Sequence, residues 1–520
     1  MLIRDILRDA VERFPSREAV VDGDVRLSYA AFYERVLRLA GWLTEQGVRS
    51  GDRICIGMEN SAEHVTVLMA SQVLGAVAVP FNIRMKPAAI RYIIRDSGAR
   101  AVILDDRVDL AETRQDTADI EGLLWADAGE GAPRGNALAY HDYLSHDPLE
   151  TLPDLEETQF SQIIYTSGTT GRPKGVAISH KATYHRLVTY IMSVGPAFDS
   201  GTKTLGAAPL YHTVGIHWVY LQTLFVNGTY YPVRKVTKET LALMRREGLT
   251  FMIGSPTLLK MMINLADGEA IPSMRYITYG SAAAGPELLE AMYATFPNAS
   301  ISEFYGTTEL SIPFVTPSMR AVAPGTLRMA GDFRVRIVRP GGDSEDVVQP
   351  GELGELIVHL GNAGVFETYW GPNGETMKRD KCAGEWFRTG DGLRYDTDGN
   401  YYYSGRLDDM FISGGENIQP VEVENVINQC DDVVDCAVIG APDAVWGSIV
   451  TAFVVRSHPR LDEAAIDRLF MESDLENYKR PRRIHFVDEI PRNPSGKILR
   501  AQVRDELLPR VQHEAASMAG

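Results

Sequence analysis

A chain of 520 residues, at about 150 residues per domain as a loose prior, should hold two to four compact units and is too long for one small binding module. Its 45% hydrophobic and 23% charged residues are an ordinary globular mix, with neither the low hydrophobicity of a disordered chain nor the long apolar runs of a membrane protein. Lys plus Arg number 52 against 69 Asp plus Glu, and the net charge of −17 has the wrong sign for bulk binding of nucleic acid or an anionic membrane, while leaving room for a local basic patch around a phosphorylated ligand. Cys55, Cys382, Cys430 and Cys436 form no Cys-x-x-Cys pair and are too sparse to staple the chain, which fits a reducing cytoplasm.

Met1 to Phe14 sets Asp5, Asp9 and Glu12 among its arginines without an unbroken apolar core, and so predicts an amphipathic helix instead of a signal peptide. Val65 to Phe81 is the most apolar stretch. Ser71, Gln72, Gly75 and Pro80 interrupt it, and it falls short of the roughly 20 residues of a bilayer span, so a buried helix running into a buried strand is expected. Pro87 to Asp106 reads as a helix, a Ser-Gly stop and the short apolar strand Ala101 to Leu104, the unit from which parallel α/β sheets are made. Leu205 to Ala208, Thr250 to Ile253 and Tyr276 to Tyr279 are further short strands, each ending at Pro or Gly, where open α/β sheets place their ligands.

Between these lies Ser161 to Gly175, in which a buried strand, Gln162 to Tyr165, enters a loop dense in Gly, Ser and Thr that ends at Lys174. Glycines turn N–H groups inward, hydroxyls add donors and the lysine adds a mobile charge, a composition suited to polyphosphate. It is not the Walker pattern, because no Gly-Lys-Ser/Thr triplet follows. Tyr305-Gly306-Thr307-Thr308-Glu309 offers a ring to stack on a base and a carboxylate for Mg²⁺.

From Asp332 to Leu360 the pattern turns to alternating residues with Gly and Pro punctuation, which predicts a small antiparallel β subdomain, taken as a barrel over about 325–404. Trp386 to Asp391 then puts an acid on a Gly turn, suited to two ribose hydroxyls, although alone such an acid is more often a cap or turn residue. After Gly405-Arg406-Leu407-Asp408-Asp409 a separate series begins: Pro420 to Cys430 helical, Val433 to Ile439 and Ile449 to Val455 extended, Leu461 to Met471 helical, Arg483 to Val487 extended. The expected organisation is an α/β N-terminal domain, 1–407, of two βαβ-type sheets plus the β subdomain, and a smaller mobile α+β domain, 408–520.

Taken together and in this order, these segments resemble the adenylate-forming superfamily of acyl-CoA synthetases, peptide-synthetase adenylation domains and luciferases. The resemblance runs from about Leu27 to Arg500 and is greatest to stand-alone carboxylate–CoA ligases, including aryl-CoA ligases. It implies a carboxylate attacking Mg-ATP to give acyl-adenylate and pyrophosphate, followed by displacement of AMP by the CoA thiol.

Carried over by motif, the resemblance implies that Thr166, Ser167, Gly168, Thr169, Thr170, Gly171 and Lys174 hold phosphate, that Ser281, Tyr305, Gly306 and Thr307 line the adenine, and that Thr308 meets the α-phosphate. Glu309, with Thr169, would hold Mg²⁺, and Asp391 with Arg406 would take the ribose. Lys497, in the turn Asn493 to Lys497, would bridge substrate carboxylate and α-phosphate; Asp408 matches the hinge position. The same likeness, on weaker matches, assigns CoA to Arg84, Gly414, Gly415, Trp446 and Arg480, and the acyl-pocket gate to His212. Gly215, Ile216, Trp218, Gly280, Ala282 and Ile312 would line that pocket, with space for an aromatic, alicyclic or other bulky hydrophobic acid, and no acidic residue stands beside His212 to pair with an amino-acid ammonium.

The alternatives are loading of a separate carrier protein, retention of the thioesterification half-reaction alone, and a non-catalytic nucleotide-binding protein. A homodimer is a further open partner, and no Gly-x-Ser-x-Gly elbow or Gly-x-Gly-x-x-Gly fingerprint points to a serine hydrolase or a hydride enzyme.

Overall fold

The computed structural model describes residues 1–511 apart from 116, 118, 119, 130, 167–172, 195–197, 282, 283, 332, 444, 474 and 493–496. The opening helix Ile3–Arg13 buries Ile3, Ile6, Leu7 and Ala10, the i, i+3, i+4, i+7 stripe that packs on a core. Later helices start and stop where their end groups find partners. Ser61 caps Ala62–Leu74 by accepting from His64 N at 3.1 Å. Pro87–Ser97 ends at Gly98, whose φ of +62° lets its N–H turn back onto the last carbonyls, so the Ser-Gly stop is where the helix ends.

Two mixed sheets of eight strands each carry most of the chain before residue 370. One runs through Ser311–Thr316, Ser300–Thr307, Tyr276–Gly280, Phe251–Gly254, Lys203–Gly206, Thr229–Pro232, Glu18–Asp22 and Val25–Ser28, parallel in its interior and antiparallel at both edges. The other runs through Thr368–Tyr369, Lys174–Ser179, Phe160–Thr166, Val77–Pro80, Arg53–Gly57, Ala101–Leu104, Leu124–Asp127 and Leu138–Ala139. Val77–Pro80 and Ala101–Leu104 are buried at every position, as strands covered on both faces must be, which is why they read as unbroken apolar runs.

The helix Ala62–Leu74 touches strands of both sheets and is buried at every position except Glu63. Thr66 and Ser71 satisfy their hydroxyls on their own backbone, at 2.7 and 2.8 Å. Gln72 instead reaches Ser161 O at 3.1 Å, tying this core helix to the strand that leads into Thr166.

The β subdomain is an open antiparallel sheet, not a closed barrel: Thr326–Arg328, Asn400–Arg406, Trp386–Tyr395, Gly354–His359 and Val335–Val338, with Cys382–Ala383 paired on Trp386–Tyr395. Closure needs long, staggered strands, whereas the edge strands here have three and four residues. The chain just after the three-residue edge strand is also engaged elsewhere, by a bridge between Met329 and Phe314 of the first large sheet.

Past residue 410, Val433–Asp443, Gly447–Arg456 and Arg483–Phe486 form a three-stranded sheet with Pro420–Ile427 and Glu463–Glu472 close to their expected places. These elements surround two apolar clusters of their own, one holding Ile418, Val438 and Phe470, the other Ala437, Phe453 and Val503. Among the described residues no helix is long and apolar enough to cross a membrane.

Candidate active site

Tyr305, from a strand 86 positions away, and Tyr403 and Arg406, from the neighbouring strand, meet at Asp391. Tyr305 OH donates to Asp391 Oδ2 at 2.5 Å, Tyr403 OH reaches Oδ1 at 3.5 Å, and Arg406 Nη1 lies 3.3 Å from Oδ1 while also donating to Thr389 O at 2.6 Å. The strand pairing dictates this, because Trp386–Tyr395 and Asn400–Arg406 set Asp391 opposite Arg406. Burial pushes the Asp391 carboxyl up; Arg406, the Tyr305 hydroxyl and the charge of Lys497 oppose that shift. Lys497, on the last part of the chain, is thus near enough to act electrostatically on the acid expected to take the ribose.

The Tyr305 ring lies 5.7 Å from that of Tyr403 and 5.9 Å from that of Phe314, an aromatic wall on one side of Asp391. Tyr403 was not singled out in the sequence, although its period-two spacing from Tyr401 was a usable signal: Tyr401 packs on Phe314 at 4.7 Å and Tyr403 on Tyr305. At Gly306 a Cβ would sit 2.3 Å from Ser311 O, so only glycine lets this strand pair close and hold Tyr305 in place.

The next side chains form the polar end of the site. Glu309 accepts from Tyr369 OH at 2.8 Å, and Lys174 Nζ lies 5.9 Å from the centre of the same Tyr369 ring. Thr307 Oγ1 accepts from Leu310 N at 3.2 Å and so caps the turn that presents Thr308 and Glu309. Arg186, fully buried, donates to Gly364 O at 2.6 Å and Thr308 O at 3.0 Å, clamping that turn from below. Burial lowers its guanidinium to about 10, opposed by Glu367 and Glu309. Sequence reasoning missed Arg186, whose helical context gives no sign that a buried charge is at work. Thr166 ends the strand Phe160–Thr166 and faces Lys174 across it. Ser167, Gly168, Thr169, Thr170 and Gly171 lie outside the described residues.

Ile216, Trp218 and Ile312, expected to line the acyl pocket, lie in one apolar core cluster. Val214–Leu221 is a π-type helix, a widened turn common at functional sites, and it buries Ile216 and Trp218. Gly215 is confined there, since a Cβ would fall 2.1 Å from Pro209 O. Trp218 faces Phe304 with ring centres 6.1 Å apart, and Phe304 occupies the space a Cβ on Gly280 would enter at 2.6 Å. Phe304, which precedes Tyr305, is thus a wall residue absent from the sequence reading. Ile312 is fully buried beside Gly306. Ser281 takes the left-handed φ of +73° just after Gly280; Ala282 lies outside the described residues.

His212 is held below its usual range, at about 4, by burial, so its ring is neutral at pH 7. His217 Nε2 lies 3.2 Å from Gln162 Oε1, and among the described residues no cluster of metal-ligating side chains forms.

The residues expected to meet CoA separate into groups. Gly414 packs against Trp446, with its N–H donating to Trp446 O at 3.0 Å, and the Arg482 guanidinium sits 4.5 Å over the indole ring. Gly415 is exposed nearby with φ +92°. Arg480 instead pairs with Asp467, and Arg84 is exposed and acts on Tyr211, next to His212. Asp408 sits on the turn Leu407–Asp409 and accepts from Arg406 Nη2 at 3.1 Å, so one guanidinium joins Asp391, the acid expected to take the ribose, to the residue expected at the hinge.

Comparison with known proteins places the chain in a family. The family model for the AMP-binding enzyme matches residues 7–370, and that for the AMP-binding enzyme C-terminal domain matches residues 422–497. The chain belongs to the AMP-binding enzyme family. The 4-chlorobenzoate–CoA ligase of Arthrobacter sp is 31% identical over 510 residues, covering 96% of this chain and 94% of that one. The feruloyl-CoA synthase of Amycolatopsis sp is 34% identical over 500 residues, covering 94% and 96%. The crystal structure of an anthranilate CoA ligase in complex with anthranoyl-AMP matches with a TM-score of 0.87 at 26% identity over 97% of this chain and 96% of that one. As such an AMP-binding enzyme, the chain is an AMP-forming acid–thiol ligase whose substrates are ATP, CoA and a small-molecule carboxylate.

Proposed function

We propose that this enzyme activates an aromatic carboxylic acid and passes it to CoA. The observation that carries the reading is the junction of two unlike surfaces on one strand, Ser300–Thr307: Phe304 belongs to the apolar wall with Trp218, while Tyr305 belongs to the polar wall with Asp391. A ring would lie against the first and its carboxylate would be delivered to the second. The relatives' named substrates, chlorobenzoate, ferulate and anthranilate, support an aromatic acid.

In this reading Tyr305 stacks on adenine, Asp391 accepts from the ribose hydroxyls, and Thr166 and Lys174, with the 167–171 segment, hold the phosphates. A carboxylate oxygen forms its bond to the α-phosphorus as the bond to pyrophosphate breaks. Lys497 stands between the two anions and stabilises the charge that gathers as they meet. The thiol sulfur of CoA then bonds to the acyl carbon and AMP leaves. Mg²⁺, when bound, neutralises triphosphate charge. Glu309, one of whose oxygens accepts from Tyr369 OH, would hold it.

The hinge at Asp408 would let the 408–520 domain exchange Lys497 for the Ser413 to Asn417 face, with Gly414 and Trp446 alongside the incoming pantetheine. CoA, rather than a carrier protein, is the acceptor best suited to an indole capped by Arg482. Four free thiols accord with a reducing cytoplasm.

The test is acid-dependent ATP–pyrophosphate exchange across aromatic, alicyclic and fatty acids, with CoA or a carrier protein then added and the thioester identified by mass. Exchange and CoA thioester with aromatic acids are expected. Exchange restricted to fatty acids would overturn the substrate assignment, and thioester formed only on the carrier would overturn the acceptor.

A further inference from the structure

We propose that Lys381 is a second polyphosphate-binding cation of this active site, acting on the pyrophosphate end of ATP together with Lys174. The proposal rests on the site reading above and goes beyond it, since no motif in the sequence pointed to Lys381.

Three features of its position carry the inference. First, the strand that bears the ribose acid fixes its backbone: Arg388 N donates to Lys381 O at 2.8 Å, and the short strand Cys382–Ala383 pairs on Trp386–Tyr395. Second, its ammonium lies 5.9 Å from the centre of the Tyr369 ring, the same distance as that of Lys174, and 5.6 Å from the Phe387 ring. The ring flanked by both lysines is the one whose hydroxyl donates to Glu309 at 2.8 Å. Two cations and the expected Mg²⁺ carboxylate are thereby gathered around one phenol. Third, among the described residues Lys381 forms no ion pair, in contrast to Lys479, which is clasped by Glu422 at 2.7 Å and Glu476 at 3.0 Å.

Burial lowers the Lys381 ammonium, with Lys174 and Arg406 adding to the shift and Glu309 and Asp408 opposing it. A partly desolvated cation within electrostatic reach of another cation is unfavourable unless an anion joins them. A triphosphate is such an anion: it carries enough charge to be shared by Lys174, Lys381 and Mg²⁺. AMP, which lacks the β and γ phosphates, would leave Lys381 without its ligand. The lysine would therefore favour the triphosphate over the nucleotide product. An arrangement in which Lys381 serves only as a cation packed on aromatic rings predicts no such discrimination.

The experiment is calorimetric titration of the full-length enzyme with Mg-ATP, AMP and pyrophosphate, for wild type, Lys381→Met and Lys381→Arg. Lys381→Met should weaken Mg-ATP and pyrophosphate by about tenfold while AMP stays within about twofold, and Lys381→Arg should stay within about threefold of wild type for all three. Unchanged Mg-ATP binding in Lys381→Met, or equal weakening of Mg-ATP and AMP, would overturn the proposal. Retained AMP binding shows that the variant is folded. Failure of the wild type itself to bind either nucleotide would overturn the underlying site reading, and is distinguished by occurring before any substitution is made.

Discussion

Tyr305 and Asp391, 86 positions apart in sequence, are joined by a phenol–carboxylate hydrogen bond of 2.5 Å at the centre of the proposed nucleotide site. Tyr305→Phe keeps the ring and removes only this donor, while Arg406 still contacts Asp391. It should raise KM for ATP by about two- to fivefold, as expected for one hydrogen bond to a charged group. Asp391→Asn also removes the charge that Arg406 faces and should raise it by at least about tenfold. Steady-state kinetics at varied ATP separates the two, and equal effects would argue against Asp391 as the ribose acceptor.

Lys497 affects Asp391 from the far end of the chain. Lys497→Ala should lower acid-dependent pyrophosphate exchange by about 100-fold or more, the scale of losing a charge aimed at a transition state. Thioester formation from synthetic acyl-adenylate and CoA should fall by no more than about threefold, because that half-reaction develops no charge beside an approaching carboxylate. Parallel loss of both rates would remove Lys497 from its assigned role.

Asp408 lies on the turn Leu407–Asp409, where Arg406 is bound at 3.1 Å. Proline there fixes φ near −65° and deletes a side chain that helps define the turn. Asp408→Pro is expected to preserve one half-reaction and to depress the other by at least about tenfold, since a domain held in one pose cannot serve both steps. Measuring the two half-reactions separately checks this; full rates in both would dismiss the hinge.

Glu303 precedes the wall residues on the same strand and is buried, accepting from Tyr279 OH at 2.9 Å. Burial raises its carboxyl from 4.5 to about 7. An acid that holds its proton more tightly when folded contributes least at high pH: its share of stability is complete below the unfolded value of 4.5 and is lost as pH rises to about 7. Glu303→Gln, uncharged throughout, should match wild type at pH 4.5 and unfold about 2–5 °C higher at pH 8, followed by circular dichroism. A variant less stable than wild type at pH 8 would contradict the buried, protonated carboxyl.

Much of the fold was legible because it rests on local chemistry. Ala101 to Leu104 was recognisable as a strand because a strand buried on both faces must be apolar at every position, and Gly98 as a helix stop because its φ of +62° suits glycine. The barrel expectation failed for a nonlocal reason: alternation in Val335–Val338 and Gly354–His359 specifies a sheet face, while closure depends on where the opposite edge goes, and that edge leads toward Phe314. Arg186 and Lys381 were invisible for a related reason. A charged residue on a helix or beside a turn reads as solvated until the tertiary structure buries it against Thr308 or sets it beside Tyr369.

Residue order alone carries the motifs around Thr166 to Lys174, Tyr305 to Glu309, Asp391, Asp408 and Lys497, together with the alternation of helices and parallel strands. Residue type and local spacing encode those directly. It takes the folded chain to bring Asp391 into contact with Tyr305, Tyr403 and Arg406, to set Phe304 against Trp218, and to place Lys174 and Lys381 by one ring. Those relationships depend on strand register and on which faces meet in the core, and both are set by packing between segments far apart in the chain.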